Sequence, residues 1–101
     1  MKNWFVYILE CKDGSLYTGI TNDVEKRFIE HKNGRGGKYT NSHRPIKIVF
    51  VENFKSKGEA LKREYQIKSW PRKKKIKLIS TVVVPIKFKK HSNLNISEPT
   101  I

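Results

Sequence analysis

The stretch that decides the fold is Trp4-Phe-Val-Tyr-Ile-Leu-Glu-Cys11, then Lys12-Asp13-Gly14, then Ser15-Leu-Tyr-Thr-Gly-Ile-Thr21. Two runs rich in aromatic and β-branched residues flank an Asp-Gly pair, the short-range signature of a β-hairpin. Loop length decides which side chains share a face, because a one-residue slip in register turns a strand over. A two-residue Asp13-Gly14 turn pairs Lys12 with Ser15 and sets Tyr7 and Tyr17 on opposite faces. A three-residue Lys12-Asp13-Gly14 loop, a type I turn closed by a left-handed Gly14 in a bulge, pairs Cys11 with Ser15 instead. Tyr17 then faces Leu9, Tyr7 faces Gly19, and the tyrosines become diagonal neighbours, roughly 7–8 Å apart at the backbone. The bulged loop is the expected one. Gly19 would leave a gap beside Tyr7 for a ligand or another backbone. The plain alternative is two ordinary strand tyrosines packing a core.

Outward from the hairpin, Asn22 can cap a first helix, with Glu25 completing a capping box. The helix runs over residues 23–31 and stops near Asn33-Gly34, where a left-handed cap fits. Val24 and Phe28 form its apolar stripe, and Arg27 and His31, four apart, share a neighbouring one. Residues 33–45 read as a glycine-rich basic loop carrying Arg35, Lys38 and Arg44, open to close approach by a partner. It matches no phosphate-loop pattern. Ile46–Val51 is the clearest third strand, suited to an internal position.

Ser56 caps a second helix, with Glu59 three residues on. Ala60, Leu61, Glu64 and Ile67 share one stripe of it, with Tyr65 and Lys68 beside them. Glu64 thus falls inside a face that should be buried, where a carboxylate needs a cation: an Arg, a Lys or a metal ion. An ion pair with Arg27 or Lys68 is the structural reading, and a metal ligand the functional one. Pro71 suits the start of a short basic helix over residues 72–79, anchored by Ile76 and Ile79 and carrying Arg72, Lys73, Lys74 and Lys75. Beyond Ser80 the character changes to a Pro-interrupted edge-strand candidate and then a polar tail without period, expected to be disordered. Residues 1–80 therefore read as the domain and 81–101 as an extension.

The 101 residues allow one small core. A formal net charge of +13, from 22 Lys and Arg against 9 Asp and Glu, points to nucleic acid first and an anionic membrane surface second. No apolar run is long enough to span a membrane, and the start lacks the pattern of a signal peptide. The single cysteine, Cys11, excludes an internal disulfide and a cysteine-based zinc site. The expected setting is cytoplasmic.

Val6-Tyr7-Ile8 on one strand and Tyr17-Thr18-Gly19 on the next resemble the paired motifs of the GIY-YIG endonuclease superfamily. Arg27 and His31 on the following helix, and Glu64 on the helix after the third strand, stand where that family's other catalytic positions fall. The run Lys68-Ser-Trp-Pro-Arg-Lys-Lys-Lys75 is similar to small stand-alone bacterial members related to the excision-repair nuclease subunit's N-terminal domain. The resemblance covers about residues 2–80. Three departures stand out: Val6 replaces the first motif's usual glycine, Thr18 replaces isoleucine, and residues 71–79 lack the asparagine that several members carry near the domain's end.

The resemblance implies an α/β (α+β) domain, a small mainly antiparallel three-stranded sheet flanked by about three helices. It implies metal-assisted hydrolysis of DNA phosphodiesters in repair or processing. Glu64 would hold Mg²⁺ or Mn²⁺, which favour oxygen ligands and keep several waters. Tyr7 would take a proton from the attacking water, helped by the positive field of Lys26 and Arg27, with Tyr17 orienting the water or donating a hydrogen bond. The opposite assignment of the two tyrosines stays open. Arg27 would bind the transferring phosphoryl oxygens, and His31 would position a phosphate or relay a proton. Lys26, Arg35, Lys38, Arg44, Lys68 and Arg72–Lys75 would contact the polymer backbone. The charge alone suits RNA as well as DNA, and selectivity would come from a protein partner. The alternative is a basic nucleic-acid-binding module on the same fold with little or no chemistry.

Overall fold

The computed structural model describes residues 3–81. Its elements in chain order are β1 (Trp4–Cys11), β2 (Leu16–Thr21), α1 (Val24–Lys32), α2 (Lys38–Ser42), β3 (Pro45–Phe54), α3 (Lys57–Lys68) and α4 (Arg72–Ser80). The strands form one antiparallel sheet in the order β2-β1-β3. The fold is thus α+β with a three-stranded sheet, and four helices rather than about three.

The hairpin adopts the bulged register. Tyr7 lies opposite Gly19 and Leu9 opposite Tyr17. The Cys11 amide donates to the Ser15 carbonyl at 2.9 Å, the Gly14 amide to the Cys11 carbonyl at 2.8 Å, and Gly14 has φ +86°. Asp13 fixes the turn by accepting from both the amide and the hydroxyl of Ser15.

Because β1 is the central strand, its alternate side chains enter two separate cores. Tyr7 and Leu9 pack with Val24 and Phe28 of α1 and Ile48 of β3. Val6 and Ile8 pack with Phe50, Ala60 and Ile67, and Trp70, Leu78 and Ile79 close over them. A bulge in β3 lets that strand serve both cores: Ile8 pairs with Phe50 but Leu9 with Ile48, so Val49 is the extra residue. That one insertion sends two side chains of equal sequence parity to opposite faces. An Arg63–Glu52 ion pair at 2.8 Å ties α3 to β3.

Several expectations are corrected. The cap of α1 is Asp23, not Asn22: its carboxylate accepts from the Lys26 amide at 3.1 Å, while Thr21 Oγ1 accepts from the Asp23 amide and delays the helix by one residue. The segment expected to be all loop contains α2. The third strand lies at the sheet edge, because the hairpin's own first strand takes the centre. Leu61 and Ile76 are exposed, and Leu78 with Ile79 anchors α4. The caps at Ser56 and near Asn33-Gly34 stand as expected, with Gly34 at φ +79°. The expected edge strand and tail beyond Thr81 lie outside the described residues.

Candidate active site

The bulged register puts Tyr7 and Tyr17 on the α1 face with their rings 6.3 Å apart. Tyr7 is buried, and its ring tip lies over Gly19. A Cβ at Gly19 would sit 2.5 Å from the Tyr7 hydroxyl and 3.2 Å from the Tyr17 ring. The gap expected to admit a ligand is therefore filled by Tyr7 itself. Tyr17, half-buried on the edge strand, is the more accessible phenol.

One turn apart on α1, Arg27 and His31 both face these tyrosines. The His31 Nε2 lies 2.8 Å from the Tyr7 hydroxyl, and the His31 ring meets Tyr17 edge-on at 5.0 Å. His31 is fully buried rather than at the rim of the helix face. Its other nitrogen, Nδ1, lies 2.8 Å from Oγ1 of Thr40 on α2. Gly36 covers the imidazole so closely that any Cβ there would overlap it. Arg27 donates to Glu30 Oε1 at 3.0 Å and to the Gly36 carbonyl at 3.1 Å, which pins the loop before α2 against α1. A guanidinium has five N–H donors, so others remain for a ligand.

Burial, reinforced by the nearby Tyr17, raises the Tyr7 phenol well above its ordinary range; Arg27 opposes the rise and Glu64 adds to it. Burial, aided by the Arg27 charge and opposed by Glu30, pushes His31 down to about 4. At neutral pH both groups are uncharged.

Glu64 stands on α3, which packs against β1 and β2. Its side chain is 18% exposed and pairs with Lys68 at 3.1 Å, while Lys68 Nζ sits 6.0 Å over the Tyr17 ring. Among the described residues no group of three or more His, Cys, Asp or Glu side chains could hold a metal ion. A lone, partly desolvated carboxylate fits Mg²⁺ or Mn²⁺, since such ions keep several waters and take further oxygens from substrate phosphate. It does not fit a metal caged by protein alone.

Of the five residues expected to carry the chemistry, Tyr7, Tyr17, Arg27 and His31 are thus brought together from β1, β2 and α1, and Glu64 on α3 acts on Tyr7 through its charge. The expected phosphate contacts are more scattered. Lys68 stands at the site. Lys26 is exposed and, with Arg35, lines a depression on α1 beside Glu25 and Glu30. Arg44 lines a polar recess with His31, Lys32, Asn41 and Thr40. Lys38 opens α2, and Arg72–Lys75 form the start of α4, where Lys74 covers the Trp70 ring at 4.3 Å. Among the described residues no helix is long and apolar enough to cross a membrane.

Three residues beside the site were not singled out by sequence. Thr40 and Gly36 hold His31, and Tyr39 stacks on Tyr17 at 5.8 Å and on His43 at 4.1 Å. The glycine-rich composition signalled a close approach, but not that its partner is an imidazole of the same chain.

A family model described as the GIY-YIG catalytic domain matches residues 3–77. A UPF0213 protein of Staphylococcus saprophyticus is 58% identical over 80 residues, 79% of this chain and 98% of that protein. A UPF0213 protein of Staphylococcus epidermidis is 53% identical over 79 residues, 78% of this chain and 96% of that one. The solution NMR structure of a UPF0213 protein from Bacillus halodurans is 44% identical, with a TM-score of 0.51, covering 92% of this chain and 94% of its own.

Proposed function

The chain belongs to the GIY-YIG catalytic domain family, and from that premise we propose that it is a metal-dependent endonuclease hydrolysing DNA phosphodiester bonds. The observation that carries the reading is the buried Tyr7 hydroxyl bonded to His31 Nε2 at 2.8 Å, beside a guanidinium with free donors. A phenol kept neutral by burial is a poor base on its own, but it becomes a competent one if its proton has somewhere to go. Tyr7 oxygen takes a proton from the attacking water while its own proton passes to His31 Nε2. The water oxygen forms the new bond to phosphorus. The leaving oxygen departs from phosphorus and takes a proton from solvent. Tyr7 ends neutral and His31 ends as imidazolium, a state its burial disfavours and which therefore returns its proton readily.

Tyr17, more exposed and next to Tyr7, orients the water. Arg27 offers its remaining donors to the non-bridging phosphate oxygens, where charge grows in the transition state. Glu64 would hold Mg²⁺ or Mn²⁺, which when bound polarises the phosphate and stabilises the leaving oxygen. Lys68 must then release Glu64 and is free to meet a phosphate. The surplus of Lys and Arg supplies affinity for the polymer backbone.

The Glu64–Lys68 pair also favours a second reading, a nucleic-acid-binding module in which this carboxylate is structural. One assay separates the two. Labelled single-stranded, duplex and branched DNA are incubated with Mg²⁺, Mn²⁺ or EDTA, with wild type, Tyr7→Phe, Arg27→Ala and Glu64→Ala. Metal-dependent cutting lost in all three variants, with Glu64→Ala still binding DNA, supports the enzyme. Equal binding by wild type and Glu64→Ala with no cutting of any substrate favours the module.

A further inference from the structure

We infer that Thr40 is a positioning residue for the proposed reaction: by accepting a hydrogen bond from His31 Nδ1, its hydroxyl fixes the imidazole in the tautomer that leaves Nε2 bare toward Tyr7. The inference rests on the nuclease reading for its kinetic consequence, though not for the tautomer itself.

The direction of each hydrogen bond follows from what the groups can do. The side chains in hydrogen-bonding reach of the Tyr7 oxygen are Arg27, a donor without acceptor capacity, and His31, while Tyr17 and Glu64 act on it through charge. A neutral, buried phenol must give its hydrogen to an acceptor or leave it unsatisfied at appreciable cost. His31 Nε2, at 2.8 Å, is that acceptor, so the ring's single proton sits on Nδ1. Nδ1 in turn lies 2.8 Å from Thr40 Oγ1, a hydroxyl that is itself buried. The chain therefore runs Tyr7 O–H to Nε2, then Nδ1–H to Oγ1, and leaves the Thr40 hydroxyl hydrogen to the polar recess that Thr40 lines with Asn41.

Thr40 reaches this position because three elements converge. Arg27 grips the Gly36 carbonyl, Gly36 lies close against the imidazole, and α2 begins two residues later. When His31 takes the Tyr7 proton, the Nδ1–H···Oγ1 bond is already in place and strengthens as the ring becomes cationic. No proton crosses to Thr40. Without this acceptor, a buried N–H loses its partner, and the ring gains by moving its proton to Nε2 or by rotating, either of which blocks transfer from Tyr7.

The test is ¹⁵N NMR of the histidine rings in the intact, metal-free protein, with His31 assigned from the signal lost in His31→Gln, run beside steady-state cleavage of labelled DNA with Mn²⁺. The expected wild-type spectrum shows Nδ1 protonated and Nε2 bare. Thr40→Val weakens that preference and lowers kcat by about ten- to a hundredfold with KM unchanged, and Thr40→Ser restores both. A wild-type His31 protonated at Nε2 overturns the inference. So does a Thr40→Val protein with wild-type tautomer and turnover, or a Thr40→Ser protein as impaired as Thr40→Val. If Thr40→Val does not fold, the wild-type and Thr40→Ser spectra decide. If no DNA is cut, the nuclease reading fails while the tautomer still upholds or overturns the role of Thr40 in orienting His31.

Discussion

Tyr7 and His31, 24 residues apart, meet through a buried 2.8 Å hydrogen bond that joins β1 to α1. One side of it is a phenol that burial keeps protonated, and the other an imidazole that burial keeps neutral. Tyr7→Phe keeps the ring and removes only the hydroxyl. It should cost about 1–3 kcal/mol of stability by leaving Nε2 unpaired, and lower cleavage by roughly 10²–10⁴-fold. DNA affinity should stay near wild type, because Tyr7 is not on the surface. Single-turnover cleavage beside a binding titration checks this. A Tyr7→Phe protein that cuts at the wild-type rate would pass the base role to Tyr17.

The same bond gives stability a pH dependence. His31 protonates at about 4 in the folded chain against an ordinary value of 6.5. Between these values the unfolded chain takes up a proton that the folded chain refuses, so stability falls as pH drops through this window. The groups acting on the ring are Tyr7, Tyr17, Arg27, Glu30 and Thr40, and burial dominates among them. The full loss should approach about 3 kcal/mol below pH 4. Urea unfolding at stepped pH checks it. In His31→Gln the fall between pH 6.5 and 4 should flatten; an unchanged profile would assign the effect to other groups.

Gly36 offers a test of packing alone. Its backbone is outside the left-handed region, so alanine is tolerated locally, but the new Cβ meets the imidazole. Gly36→Ala should destabilise by about 1–3 kcal/mol and reduce cleavage with it. In a His31→Ala background the ring is gone, and the same substitution should cost close to nothing. The four unfolding free energies form a double-mutant cycle with a large coupling. Additive costs would mean that Gly36 is needed for some other reason.

How far the site was legible depends on the range of each signal. The hairpin register follows from Asp13-Gly14 and the two flanking runs, all within 18 residues, so the placement of Tyr7, Tyr17 and Gly19 could be read directly. The caps at Ser56 and the stop at Gly34 are equally local. His31 is different. Helical spacing placed it beside Arg27, but its burial depends on Gly36 and Thr40, which arrive on a loop and a five-residue helix too short to show a period. The edge position of β3 was likewise hidden, since a strand buried on both faces and an edge strand between two helical layers share one apolar pattern. Glu64 was legible as a misfit on an apolar stripe; that its partner is Lys68, one turn on, was one of two options the spacing left open.

Thr18 shows a departure from the family pattern with a measurable cost. It pairs with Ile8 in the sheet and is buried, and its Oγ1 has no hydrogen-bond partner among the described residues. The side chain lies on the face away from Tyr7 and Tyr17, since strand neighbours alternate. A buried hydroxyl without a partner forfeits hydration and gains nothing in return, so removing it should help the fold. Thr18→Val keeps the β-branched shape, which suits a strand, and replaces the hydroxyl by a methyl group. We expect stability to rise by about 1 kcal/mol, read as a higher urea midpoint with unchanged slope. Cleavage should be unaffected, because neither Tyr17 nor Gly19 needs to move. A lower midpoint in Thr18→Val would show that the hydroxyl is satisfied in solution, with water the available partner, and that threonine is the better fit at this position.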